Sequence, residues 1–233
     1  MGVAENIREI RARIADACLI SNRDPDDVKI IAVTKYVSLE RALEAVDAGV
    51  ADIGENRDEG FLRKWDALGG RAAFHFIGSL QTRKVKNIIG KADYIHSLDR
   101  LSLAKEIDKR ADGKVKCLVQ VNVSGEESKH GLTPEEALDF ISEVKQYGNI
   151  LIAGLMTMAP LTDDEAVLRD CFRKLRELRN KIRSMKLPHA PCEELSMGMS
   201  NDYEVAVEEG ATMVRIGTAL VGKNDMEVQE DEH

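Results

Sequence analysis

Aromatic residues are scarce in this 233-residue chain: Phe, Tyr and Trp together make up 4%, with a single Trp, while hydrophobic residues reach 43%. A core must therefore be built from Val, Ile, Leu, Ala and Met, the composition of a parallel sheet covered by helices. Basic charge is not in excess either. Lys and Arg number 33 against 41 Asp and Glu, a net charge of −8, which leaves no electrostatic footprint for nucleic acid or an anionic membrane surface. An anionic ligand must then be held by local groups. The cysteines, Cys18, Cys117, Cys171 and Cys192, form no CxxC, so neither a disulfide framework nor a thiolate zinc site is suggested and a reducing compartment fits. No apolar run approaches the roughly 20 residues of a membrane span. The opening MGVAENIREIRARIADA reads as a charged amphipathic helix without the apolar core and cleavage site of a signal peptide, and Asn6 stands where a myristoylation motif wants Ser or Thr. The expected location is the cytoplasm.

What is present is an alternation of short apolar runs with longer charged, helix-periodic stretches, the sequence form of repeated βα units. Strands are expected at 30–34, 51–54, 74–78, 94–97, 115–123, 150–156, 194–197 and 213–217. Helices are expected at 39–48, 58–68, 83–89, 101–112, 134–147, 163–185 and 202–209. Ser38, Thr82, Asn201 and Thr133, the last followed by Pro134 and Glu136, are candidate N-caps. Gly49, Gly69, Gly113, Gly148 and Gly210 each follow a helical run, where a left-handed residue is wanted. Eight βα repeats behind one extra helix predict an α/β fold closed as a single (β/α)8 TIM barrel over 1–222, with an open doubly wound sheet as the alternative. The acidic segment 223–233 reads as a flexible tail.

In a barrel, ligand chemistry belongs at the C-terminal ends of the strands. Polar and glycine residues collect there: Thr34-Lys35-Tyr36, Gly54-Glu55-Asn56, Gly78-Ser79-Leu80-Gln81, Met197-Gly198-Met199-Ser200 and Arg215-Ile216-Gly217-Thr218. Lys35 follows an apolar strand. It reads either as a strand-end lysine in solvent or as an amine at the barrel mouth, where desolvation favours the neutral form that attacks an aldehyde. The loops after the last two strands offer hydroxyls and backbone N–H groups for a phosphate, or simply a helix cap and a glycine turn. Arg215 shares a strand face with Gly217. If that face is interior, the cation needs a partner: a core carboxylate such as Glu55, or the pyridine nitrogen of pyridoxal 5′-phosphate (PLP), which an arginine would keep unprotonated. His75, His96, His130 and His189 lack metal-ligand spacing and read as core or loop hydrogen-bonding residues. Lys129 reads as a solvated loop lysine, with a ligand contact or a second PLP tether as the alternative.

Ala32-Val33-Thr34-Lys35, Gly54-Glu55-Asn56, His75-Phe76-Ile77-Gly78-Ser79-Leu80-Gln81, Gln120-Val121-Asn122, Ser128-Lys129-His130-Gly131, Gly154-Leu155-Met156, Leu195-Ser196-Met197-Gly198-Met199-Ser200 and Met213-Val214-Arg215-Ile216-Gly217-Thr218 together resemble the pyridoxal phosphate homeostasis proteins of the YggS type. The match is collinear from about Asn6 to Gly222. The resemblance implies a fold like the N-terminal barrel of alanine racemase, with PLP held as a Schiff base on Lys35. It places the phosphate at Ser200, Gly217 and Thr218, the pyridine nitrogen by Arg215, and Asn56 and Met197 in the cofactor's surroundings. It further implies a role in vitamin B6 homeostasis, buffering or delivering PLP and influencing amino-acid and keto-acid balance, with apo forms of PLP enzymes as recipients. Ser38 and Arg57 depart from the family pattern beside the site. No turnover and no metal are expected, and the assembly is expected to be a monomer or weak homodimer. The contrasting reading is a PLP-dependent racemase or lyase. The racemase needs a second base opposite Lys35, typically a tyrosine associated with a C-terminal domain that a chain ending at His233 is expected to lack. Tyr36 is expected to point away from Lys35 by strand alternation.

Overall fold

The eight apolar runs close into a parallel barrel in strand order one to eight, seen in a computed structural model that describes residues 2–126 and 129–222. The strands are β1 (Lys29–Val33), β2 (Asp52–Glu55), β3 (Ala73–Phe76), β4 (Tyr94–Leu98), β5 (Val115–Gln120), β6 (Ile150–Met156), β7 (Glu194–Met199) and β8 (Met213–Ile216). β8 pairs in parallel with β1, with Ile31 opposite Arg215, so the last strand seals the first. The doubly wound alternative is thereby excluded. The helices are α1 (Val3–Ile20), α2 (Leu39–Asp47), α3 (Asp58–Leu68), α4 (Val85–Ile88), α5 (Leu101–Arg110), α6 (Pro134–Val144), α7 (Glu165–Ser184), α8 (Tyr203–Glu208) and α9 (Thr218–Val221). The helix expected over 83–89 is instead a 3-10 turn, Thr82–Lys84, running into the single turn of α4. The acidic segment 223–233 and Ser128 lie outside the described residues.

Alternate residues of each strand face opposite ways, and this divides the interior in two. One layer lies between strands and helices and is packed by residues such as Ile53, Phe61, Phe74, Phe76, Leu155, Phe172 and Leu195. The other fills the lumen and is small: Ile31, Leu118, Ala153, Met156 and Met213, with Tyr94 against them. Polar groups occupy much of the remaining lumen. Close strand approach depends on glycine at one point above all. A Cβ on Gly154 would stand 2.0 Å from the Glu194 carbonyl oxygen of the neighbouring strand.

Local signals were legible with exceptions. Ser38 accepts from the Arg41 N–H, and Thr133 and Glu136 form a reciprocal capping box. Thr82 and Asn201 are not caps; Gln81 and Asp202 hold those positions, and neither side chain caps its helix. Gly49, Gly69 and Gly210 take φ of +87°, +57° and +102°, whereas Gly113 and Gly148 do not adopt positive φ. All four cysteines are free and buried. Burial pushes the Cys117 and Cys192 thiols up to about 12 and that of Cys171 to about 11. No helix among the described residues is long and apolar enough to cross a membrane.

Candidate functional site

The chain gathers its unusual residues at one rim, the C-terminal ends of the strands. Lys35 sits in the turn just after β1. Its side chain is exposed, and its Nζ lies 4.5 Å from the centre of the Tyr36 ring. Two expectations are corrected here. The protein's own atoms do not desolvate Lys35, because it stands beyond the packed end of the strand. Tyr36 also does not point away from it, because the turn breaks the two-residue alternation that a continued strand would impose.

Beneath that turn is a buried clamp. Lys64 of α3 donates from Nζ to the Thr34 carbonyl at 2.5 Å and to Glu55 Oε1 at 2.6 Å. The Thr34 hydroxyl donates to the same Glu55 oxygen at 2.5 Å. The Lys64 and Glu55 side chains are each 1% exposed. Glu55 is therefore engaged by Lys64, not by Arg215, and the carboxylate partner considered for Arg215 is excluded. Sequence reasoning missed Lys64, which reads as a solvated helix lysine. The signal that would find it is its place on the buried stripe of α3, three residues after Phe61 and four before Leu68.

Arg215 is a buried cation, so the strand face it shares with Gly217 is the interior one. It donates to the Ser196 hydroxyl at 2.6 Å and to the Thr157 carbonyl at 2.9 Å. Both partners are neutral. Burial pulls its guanidinium down to about 10, partly offset by the field of Asp202. Asp202 is itself raised by burial, opposed by the Met199 N–H, which donates to it at 2.5 Å, and by Arg215. Ile31 lies opposite Arg215 across the β1–β8 pair, and Lys35 sits in the turn two residues after β1 ends at Val33, so the amine stands on the rim side of the arginine.

The remaining expected site residues divide. Asn56 is half-buried in the bend after β2, and Gly78 lets the end of β3 pass against it, since a Cβ there would meet the Asn56 carbonyl oxygen at 2.3 Å. Ser200 is half-buried in the turn after β7. Gly217 immediately precedes α9, and Thr218 opens it, exposed. Lys35, Asn56, Ser200, Gly217 and Thr218 thus share the rim, with Arg215 below. Met197 does not line the lumen. It is fully buried in the layer between strands and helices. Lys129 pairs with Glu126 at 2.5 Å and donates to the Met158 carbonyl at 3.3 Å, tying two rim loops together. Among the described residues no group of three or more His, Cys, Asp or Glu is placed to hold a metal.

Expected as core or loop hydrogen-bonding residues, His75 and His96 form one connected chain: His75 Nδ1 lies 2.9 Å from His96 Nε2, His75 Nε2 lies 2.9 Å from Asp52, and His96 Nδ1 lies 3.0 Å from the Ser196 hydroxyl that receives Arg215. Burial, with the fields of His75 and Arg215 beside it, holds His96 well below the usual imidazole range.

Comparison with known proteins agrees with this architecture. Residues 3–225 match the family model described as alanine racemase, N-terminal domain. The chain is 43% identical over 230 residues to the pyridoxal phosphate homeostasis protein of Aquifex aeolicus (strain VF5), covering 96% of this chain and 99% of that one. The structure of PipY from Synechococcus elongatus PCC7942 with PLP bound superposes with a TM-score of 0.82 at 31% identity, covering 94% of this chain and 100% of that chain. An alanine racemase of Clostridium difficile 630 shares the fold, at a TM-score of 0.73 and 18% identity, over 93% of this chain and 56% of its own. With the barrel, the rim and the near full-length identities in agreement, the chain belongs to the alanine racemase N-terminal domain family and, within it, to the pyridoxal phosphate homeostasis proteins.

Proposed function

We propose that this barrel binds PLP at its C-terminal rim and serves PLP homeostasis by holding and releasing the cofactor. The observation that carries the reading is Arg215: a buried cation whose contacts are a hydroxyl and a carbonyl, on the strand paired with the one that leads to Lys35. A neutral ring nitrogen with a lone pair suits such a cation, because it accepts a hydrogen bond without adding a second charge to a buried site. Lys35 is the amine that holds the aldehyde as a Schiff base. Ser200, Gly217 and Thr218 hold the phosphate through a hydroxyl and backbone N–H groups at the end of β7 and the start of α9. Asn56 borders the cofactor from β2. Bound PLP supplies an electrophilic aldehyde carbon; the chain binds it, orients it and keeps its ring nitrogen unprotonated. An unprotonated ring is a weak electron sink, which suits a carrier whose recipients are apo forms of PLP enzymes. The exposed position of Lys35 agrees with reversible capture.

The visible spectrum of the full chain with PLP tests this. The wild type shows an imine band that borohydride abolishes, and Lys35→Ala shows neither the band nor reductive attachment. A colourless wild type, or a Lys35→Ala variant with an unchanged band, overturns the proposal. Tyr36 stands beside Lys35 on the same turn, not across from it, so a racemase pair of opposed bases is not what these two residues form. Incubation with single amino-acid enantiomers in deuterated water checks that reading. The expected result is no α-proton exchange at enzymatic rates, together with PLP transfer to an apo-enzyme.

A further inference from the structure

The polar chain across the lumen has a direction that follows from its chemistry. Asp52, the first residue of β2, carries an acceptor-only carboxylate and is 15% exposed. His75 Nε2 must therefore donate to it. With one proton on each ring, His75 Nδ1 is then an acceptor, and the His96 Nε2–H, 2.9 Å away, is its donor. His96 Nδ1 is left as an acceptor and takes the Ser196 hydroxyl proton at 3.0 Å. The Ser196 oxygen, its own proton committed to His96, turns its lone pairs to Arg215, which donates to it at 2.6 Å. With both rings singly protonated, this is the order that satisfies the carboxylate and gives each ring nitrogen and the serine hydroxyl proton one partner. The chain spans five strands and crosses the lumen between β4 and β7.

We propose that Asp52, His75, His96 and Ser196 form a directed hydrogen-bond relay whose task is to position Arg215, so that a carboxylate at the N-terminal end of the barrel fixes how the guanidinium is presented to the bound ring. These four are positioning residues, and the inference rests on Arg215 being the group that faces PLP. The physical reason for such a device is the lumen itself. A guanidinium held by two neutral acceptors in a buried space has rotational freedom unless those acceptors are themselves oriented, and a serine hydroxyl is free to rotate unless its proton is claimed. His96 claims it. His96 needs a fixed tautomer to do so, and His75 with Asp52 fixes it. Tyr94, stacked on His75 at 4.9 Å with the rings 7° apart, holds that imidazole in plane. Burial keeps His96 neutral, so the relay carries orientation without adding charge beside the arginine.

The test has one readout that needs no cofactor and one that does. In the ligand-free full chain labelled with 15N, both imidazoles are expected as Nε2–H tautomers, with slow rotation of the Arg215 guanidinium. His75→Leu abolishes the slow rotation; His75→Gln, whose amide still offers an acceptor and a donor, restores it. With PLP added, His75→Leu is expected to weaken retention roughly tenfold, the size of one lost charge-assisted hydrogen bond, and to shift the imine absorption, while His75→Gln stays near wild type. Asp52→Ala, which breaks the relay at its partly exposed end, gives the same two changes and stands in if His75→Leu does not fold. Unchanged guanidinium rotation and unchanged PLP retention in His75→Leu or Asp52→Ala overturn the relay. A wild type that holds no PLP overturns the proposed function, while the ligand-free spectra still decide the relay.

Discussion

At the scale of single residues, the most consequential interaction near Lys35 is one it does not make itself. Lys64 and Glu55 are both buried, and between them they hold Thr34, the residue before the amine: Lys64 donates to its carbonyl and Glu55 accepts from its hydroxyl. A buried ion pair adds little over a well-packed apolar pair, but removing one partner strands the other charge. Lys64→Met is therefore expected to destabilise the chain by about 3–5 kcal/mol, measured by urea unfolding. Adding Glu55→Gln, which still accepts from Thr34, is expected to recover more than half of the loss. A single Lys64→Met variant as stable as wild type contradicts the clamp. The same contact explains a limit of sequence reading. Lys35 was legible because it ends an apolar strand, and Arg215 because it alternates with Gly217. Lys64 was not, because a lysine within a charged helix reads as solvated unless its place on the apolar stripe is counted.

At the scale of elements, glycine positions decide how closely the strands approach. The Gly154 site admits no Cβ, as the β7 backbone lies within 2.0 Å, whereas a Cβ on Gly113 meets nothing within 4 Å. Gly154→Ala is expected to lose at least about 1–3 kcal/mol, and Gly113→Ala to stay within about 0.5 kcal/mol of wild type; thermal unfolding of the pair checks both. The start of α3 is bound to α4 by Asp58, which accepts from Lys84 at 2.5 Å and from Asn87 at 2.8 Å. Burial alone would raise the Asp58 carboxyl, but these two bonds outweigh it and the net shift is downward. A carboxyl depressed in the folded state contributes stability above its unfolded value, and that contribution is lost as pH falls through the folded one. Asp58→Asn is expected to be less stable than wild type near neutral pH, with the gap narrowing below about pH 4, the ordinary aspartate range. A gap independent of pH sinks that account. The eight strands and most helices were legible because each is a local pattern. The relay was not. Its members come from separate strands, and their contacts are set by barrel closure, which no local period encodes. The sequence offers His75 and His96 as core or loop hydrogen-bonding residues, but it does not say which side chain across the barrel each one meets. Met197 shows another limit: its place by the cofactor is implied only by the resemblance, whereas alternation from Ser196, whose hydroxyl meets His96 and Arg215 in the lumen, turns it to the helix side.

At the scale of the whole molecule, the proposed ligand straddles the seam where the barrel closes. Lys35 follows β1, Gly217 and Thr218 follow β8, Ser200 follows β7, and the β1–β8 pairing makes the chain's first and last strands neighbours. A ligand joined to one side by a covalent bond and to the other by phosphate contacts resists separation of those strands, so its binding energy is coupled to global unfolding. Mass action sets the size: at a free PLP concentration 100 times the dissociation constant, stabilisation is about 2.7 kcal/mol. For a chain of this length each kcal/mol raises Tm by about 2–4 °C, so the wild type is expected to melt roughly 5–10 °C higher with saturating PLP. At the same PLP concentration Lys35→Ala keeps only the phosphate and Arg215 contacts, and its shift is expected to be less than half as large. Pyridoxal, which offers the aldehyde and ring nitrogen without the phosphate, also gives a smaller shift on the wild type, because the contacts of Ser200, Gly217 and Thr218 are then missing. Equal shifts from PLP and pyridoxal would mean that the β7 and β8 loops hold no phosphate, and equal shifts in wild type and Lys35→Ala would mean that the seam is not bridged through Lys35.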